Sequence, residues 1–202
     1  VLFNSTLVHL YKSKYEDDFI KINSMWLYPN TNELNYIYDD WYKNYKCLMF
    51  KSAYGTGKTY GFKKIIDTYE PKKILFITYR QSLAHSLTND LKSKFGFNSY
   101  LDKTVNIKTA SRVIIQLDSI YKLLEKFQYD LQHDTTPEFD LVVLDEMEGL
   151  LNHLSYNKID QHTIFNILER IVKKSNKVLC LDGDLNDRSL DFISNMNITF
   201  KV

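Results

Sequence analysis

The chain has 202 residues, 44% hydrophobic and 25% charged, a balance that excludes a disordered polypeptide. Its 26 basic and 25 acidic residues leave a net charge of +1, which excludes nucleic-acid binding through bulk charge but not through a local edge. No apolar run reaches the ~18 residues of a membrane span, and the start lacks a signal-peptide pattern, so an intracellular, non-secreted protein without a membrane partner is expected.

Residues 1–46 are rich in Tyr and acidic side chains, with Trp26 and Trp41, and are expected to form an N-terminal extension packing on a core at 47–202. Five short apolar runs follow, at 47–50, 74–77, 113–115, 141–144 and 178–181. Continuous rather than alternating runs suit strands buried on both faces, as in a parallel sheet. Between them lie helical stripes: Phe62, Ile65, Ile66 and Tyr69; Leu83, Leu87 and Leu91; Ile120, Leu123, Leu124 and Phe127; and Ile164, Ile167, Leu168, Ile171 and Val172. Alternating strands and helices predict an α/β domain, a mostly parallel sheet with helices on both faces. Cys47 and Cys180, each inside an apolar run, read as buried thiols rather than as a disulfide or zinc ligands. The predicted strand ends are polar, and ligands of open parallel sheets bind at the carboxyl ends of strands.

After the first run comes Ser52-Ala53-Tyr54-Gly55-Thr56-Gly57-Lys58-Thr59, a Walker A phosphate loop with Ser52 in place of the first Gly. Gly55 and Gly57 let successive backbone N–H groups turn toward a phosphate, and the helix N-terminus adds partial positive charge. Lys58 is expected to meet the β- and γ-phosphates of ATP, and the Thr59 hydroxyl to hold Mg²⁺. The run at 141–144 ends in Asp145-Glu146, a Walker B pattern: Asp145 for Mg²⁺, Glu146 as the base that activates water. Lys58 and Asp145 are 87 residues apart with two predicted strands between, spacing that suits a RecA-like P-loop NTPase domain.

These motifs resemble the first RecA-like domain of superfamily 2 helicases, and more narrowly the viral replication-origin-binding protein family. The likeness covers about residues 47–193. It extends to Thr78-Tyr79-Arg80-Gln81-Ser82-Leu83-Ala84, to Gln116-Leu117-Asp118-Ser119-Ile120, to Asp145-Glu146-Met147-Glu148 and to Asp182-Gly183-Asp184-Leu185, which runs on through Arg188 and Ser189. The resemblance implies an ATP-dependent helicase in DNA replication, with DNA favoured over RNA as partner. It implies that Arg80, Gln116 and Ser119 contact nucleic acid and that Asp182 couples the γ-phosphate to it. It also implies a second RecA-like domain in the same full-length protein, without which the 202-residue piece is expected to be nearly inactive. No Gln precedes the phosphate loop to hold adenine, so an aromatic from residues 26–46 is expected there. The alternatives are a non-catalytic P-loop module for assembly or partner binding, or a P-loop nucleotide kinase, against which Glu146 argues.

Overall fold

The computed structural model describes residues 32–53, 55–124, 135–155 and 161–202. Helix α1 (Asn32–Asn44) leads into β1 (Cys47–Lys51), α2 (Lys58–Tyr69), β2 (Ile74–Thr78), α3 (Gln81–Phe95), the two-residue β3 (Asn98–Ser99) and β4 (Arg112–Gln116). A 3-10 helix (Leu117–Leu123) follows, then β5 (Leu141–Asp145), α4 (Met147–Ser155), α5 (Gln161–Lys174), β6 (Lys177–Asp182), α6 (Asp187–Ser194) and β7 (Phe200–Lys201). All five apolar runs are strands. They and the two short edge strands make one parallel sheet in the order β3-β4-β2-β5-β6-β1-β7.

The continuous apolar runs are explained by what covers the sheet. Leu48, Phe50, Ile74, Phe76, Leu141, Val143, Leu179 and Leu181 face a cluster with Trp41, Phe62, Ile65 and Leu91 from α1, α2 and α3. Their strand neighbours Cys47, Met49, Leu75, Ile77, Val142, Leu144, Val178 and Cys180 face the opposite cluster, with Ile120, Leu150, Ile167 and Leu190 from the 3-10 helix, α4, α5 and α6. Successive side chains point to opposite faces of a strand, so burying both faces requires every position to be apolar.

One expectation changes on contact with the structure. The stripe at Ile120, Leu123 and Leu124 forms a 3-10 helix rather than an α-helix, because the buried positions are Leu117, Ile120 and Leu123, a repeat of three. Leu124 is already extended, and Phe127 lies outside the described residues. In the N-terminal segment, of which 1–31 also lie outside the described residues, α1 belongs to the hydrophobic core: Trp41 is fully buried, and Ile37 and Tyr38 pack beside it. Tyr42 stacks on Tyr69 of α2, with ring centroids 4.1 Å apart. Cys47 and Cys180 are free, fully buried thiols on neighbouring strands, their sulfurs 3.7 Å apart. Among the described residues, no helix is long and apolar enough to cross a membrane.

Candidate nucleotide and nucleic-acid site

Strand order arranges the polar strand ends along one rim. From one side to the other run Gln116 at the end of β4, Arg80 just past β2, Asp145 and Glu146 at β5, Asp182 at β6, and the phosphate loop after β1. Strands lie about 4.8 Å apart, so the loop and Gln116 stand about 19 Å apart across the sheet. The rim therefore has two halves, with β5 between them.

In the first half, the phosphate loop leaves β1 and turns into α2 through left-handed residues Gly55 (φ 77°) and Gly57 (φ 95°). A Cβ is costly in that region, which is why glycine stands at both positions. Gly57 caps α2 without a side-chain hydrogen bond, so the first-turn N–H groups are left to the loop side. The Lys58 ammonium folds back into the loop, donating to the carbonyls of Ser52 at 2.8 Å and Ala53 at 3.3 Å. The Ser52 hydroxyl is hydrogen-bonded to that of Thr56, which itself donates to the Ala53 carbonyl at 2.7 Å. The serine in place of glycine thus ties the base of the loop. Tyr54 lies outside the described residues.

The loop is joined to β6: Ser52 N–H donates to the Asp182 carbonyl at 2.9 Å, and a Cβ on Gly183 would come within 3.3 Å of the Ser52 oxygen. Asp182 itself is buried, and both its carboxylate oxygens accept backbone N–H groups, from Glu148 at 2.6 Å and Asp184 at 2.9 Å. It ties the end of β6 to the start of α4. Glu146 joins β5 to α4 in a left-handed conformation (φ 55°), costly for a residue with a side chain by about 1–3 kcal/mol. Its N–H donates to Leu181 at 2.8 Å and its carbonyl receives the Leu150 N–H at 3.0 Å.

These acids crowd one another. Burial, then the Glu146 charge, push the Asp145 carboxyl from its ordinary 3.8 up to about 7, with Lys58 opposing and Asp182 adding. Burial and Asp182 raise Glu146 likewise, with Lys58 and Arg80 pulling it back. A group raised in this way adds stability that is full below about pH 3.8 and lost as pH climbs through about 7. The cluster is short of positive charge and offers only oxygen donors in Asp145 and Thr59, a donor set that fits Mg²⁺. A test follows from the sign. Binding of ATP with Mg²⁺ should strengthen about tenfold between pH 6 and pH 8, as Asp145 ionises. Calorimetry at the two pH values checks it; Asp145→Asn should lose that slope, and a slope equal in both would remove Asp145 as its source.

In the second half, the Arg80 side chain is exposed and its guanidinium lies 4.8 Å over the Tyr79 ring. Gln116 is half-buried and fully engaged: its oxygen accepts from the Tyr100 hydroxyl at 2.9 Å, and its nitrogen donates to the Tyr79 carbonyl at 3.3 Å. Ser119, inside the 3-10 helix, is hydrogen-bonded to the same Tyr100. Gln116 and Ser119 are thus brought together with Tyr100, whose ring lies 5.2 Å from the Lys122 ammonium.

Sequence reasoning gave no role to Glu148, Arg188 or Ser189. Glu148 is buried, ion-paired with Arg188 at 2.5 Å and hydrogen-bonded by the Ser189 hydroxyl. An acid two residues past Glu146, and an Arg-Ser pair opening α6, were the available signals. For the adenine ring, Trp41 is unavailable because it is buried, and Trp26 lies outside the described residues; Tyr36, 70% exposed, is the open ring of α1.

Comparison with known proteins bears on the family and the fold. Residues 20–179 match the family model ResIII, described as the res subunit of type III restriction enzymes. The chain belongs to the ResIII family. Two relatives come from Acanthamoeba polyphaga mimivirus. One carries the name helicase R8 and is 37% identical over 164 residues, 79% of this chain and 15% of that protein. The other carries the name replication origin-binding protein and is 37% identical over 165 residues, 78% of this chain and 20% of that protein. The chain thus spans about a fifth or less of the length of these relatives. Among solved structures, the Sulfolobus solfataricus SWI2/SNF2 ATPase core in complex with dsDNA superposes with a TM-score of 0.55 at 12% identity, covering 88% of this chain and 37% of that one. The ResIII chain therefore shares the RecA-like α/β fold of that ATPase core, and the expected fold class and family resemblance both hold.

Proposed function

We propose that this chain is the ATP-binding RecA-like domain of a DNA helicase or translocase of viral replication, working inside a cell beside a second RecA-like domain. The single rim carries the reading: Lys58, Asp145 and Glu146 stand at one half, and the exposed Arg80 with Gln116 and Ser119 at the other. Lys58, Thr59 and backbone N–H groups of the loop where it turns into α2 would bind the phosphates of ATP. Thr59 and Asp145 would hold Mg²⁺, which when bound neutralises charge on the phosphates. Lys58 would exchange its loop carbonyls for phosphate oxygens. Glu146, held rigidly by its backbone bonds to β6 and α4, would take the proton of the attacking water. Asp182, which anchors α4, would transmit changes at the γ-phosphate. Helicase and origin-binding names among the relatives support the same reading.

The experiment is ATP turnover by the complete protein with and without single-stranded DNA and single-stranded RNA. Stimulation by DNA above RNA is expected, and no stimulation by either would overturn the reading. Arg80→Ala should weaken binding equally for unrelated DNA sequences, since a phosphate contact carries no base information. The log–log salt slope should shrink by about one. Anisotropy titrations over a salt series check this, and an unchanged slope with unchanged affinity would return Arg80 to the plain surface.

A further inference from the structure

Helix α4 touches both halves of the rim, through two neighbouring stripes of its nine residues. One stripe is Glu148 and Asn152, four apart and so on one face. Glu148 binds Arg188 and Ser189, and Asn152 accepts from Arg188 at 2.9 Å, which fastens this stripe to α6. The Glu148 N–H on Asp182 ties it to the nucleotide half as well. The other stripe is Gly149 and His153, again four apart. A Cβ on Gly149 would lie 2.7 Å from the Tyr79 ring, so the ring occupies the space a side chain would take. His153 Nε2 donates to the Asp118 carboxylate at 2.7 Å. Tyr79 is the ring beneath Arg80, and both Tyr79 and Asp118 accept from the Gln116 amide, at 3.3 and 3.5 Å.

We propose that Gly149 and His153 are positioning residues through which α4 carries the state of the nucleotide half to the nucleic-acid half. Gly149 seats the ring that supports Arg80, and His153 holds the segment that carries Gln116 and Ser119. The inference rests on the functional reading above. A helix of nine residues is a rod of about 13 Å. When its first turn shifts with Asp182 and Glu146, the 149/153 stripe moves with it, and Tyr79 and Asp118 must follow. Coupling of this kind is reciprocal, so nucleic acid bound at Arg80 would in turn alter nucleotide affinity.

The test measures a ratio that packing alone would not move. In the complete protein, anisotropy of a labelled single-stranded oligonucleotide gives its dissociation constant without nucleotide and with a non-hydrolysable ATP analogue plus Mg²⁺. Gly149→Ala keeps the helix, since Ala is the better helix former, yet its methyl group displaces the Tyr79 ring. His153→Ala removes the donor to Asp118, and His153→Gln restores one. The parent ratio is expected to differ from one by about fivefold or more, and both alanine variants should bring it toward one while ATP-analogue affinity stays within about twofold. His153→Gln should recover part of the ratio. Parent-like ratios in both alanine variants would overturn the proposal, as would a parent ratio of one with both ligands bound, and either result leaves the functional reading standing. A parent that binds neither ligand would overturn both.

Discussion

Glu146→Gln in the complete protein is expected to lower ATP turnover by about 10²–10⁴-fold, the range supplied by a positioned general base. The amide keeps the size and hydrogen-bonding reach of the acid and the same backbone at φ 55°, so the joint between β5 and α4 is retained. It also removes one charge from a crowded cluster, and Asp145 ionises more readily as a result, because the Glu146 charge is the second-largest cause of its raised pKa. ATP binding with Mg²⁺ should therefore be retained or slightly strengthened while hydrolysis fails. Phosphate release and calorimetry on the same preparation separate the two. Turnover close to that of the parent would show that another group takes the proton.

Lys58→Ala is expected to lower ATP affinity by about 10–10²-fold, since a charge-assisted hydrogen bond contributes about 1.5–3 kcal/mol. The free loop already supplies this ammonium with two carbonyl partners, so part of the phosphate interaction is offset by giving those up. The loss should for that reason fall inside that range rather than above it. The substitution also removes the main charge opposing the rise of Asp145 and Glu146, so the remaining binding should become more dependent on high pH. Calorimetry at pH 6 and pH 8 reads both effects. Equal affinity in variant and parent would remove the loop from the nucleotide site.

The parts of this molecule legible in its sequence are those dictated by short-range pattern. A strand covered on both faces must be apolar at each position, and β1, β2, β4, β5 and β6 announce themselves for that reason. The phosphate loop and the Asp145-Glu146 pair are legible because their chemistry needs fixed residue types at fixed spacing. What escaped depends on long-range neighbours. The edge strands β3 and β7 have two residues each, too few to carry any period. Helix α1 mixes Tyr38 and Trp41 with Asp39 and Asp40, so its packing on the core is legible but not which of its side chains the sheet buries. The role of Gly149 depends on a ring seventy positions earlier, and that of His153 on a carboxylate thirty-five positions earlier.

The two thiols of β1 and β6 give the protein a built-in stability probe. Cys47 and Cys180 are the two cysteines of these 202 residues, both fully buried against the sheet. Burial also raises the Cys47 thiol's pKa, which keeps the reactive thiolate scarce while the fold is closed. A thiol-labelling reagent can reach either sulfur only when the helices covering that face of the sheet lift away. The rate at which reagent is consumed under native conditions should therefore be slow and should read how often that helical cover opens. Acceleration or slowing of that rate by nucleotide would report, without any engineered probe, how binding at the rim alters the cover of the strands below it.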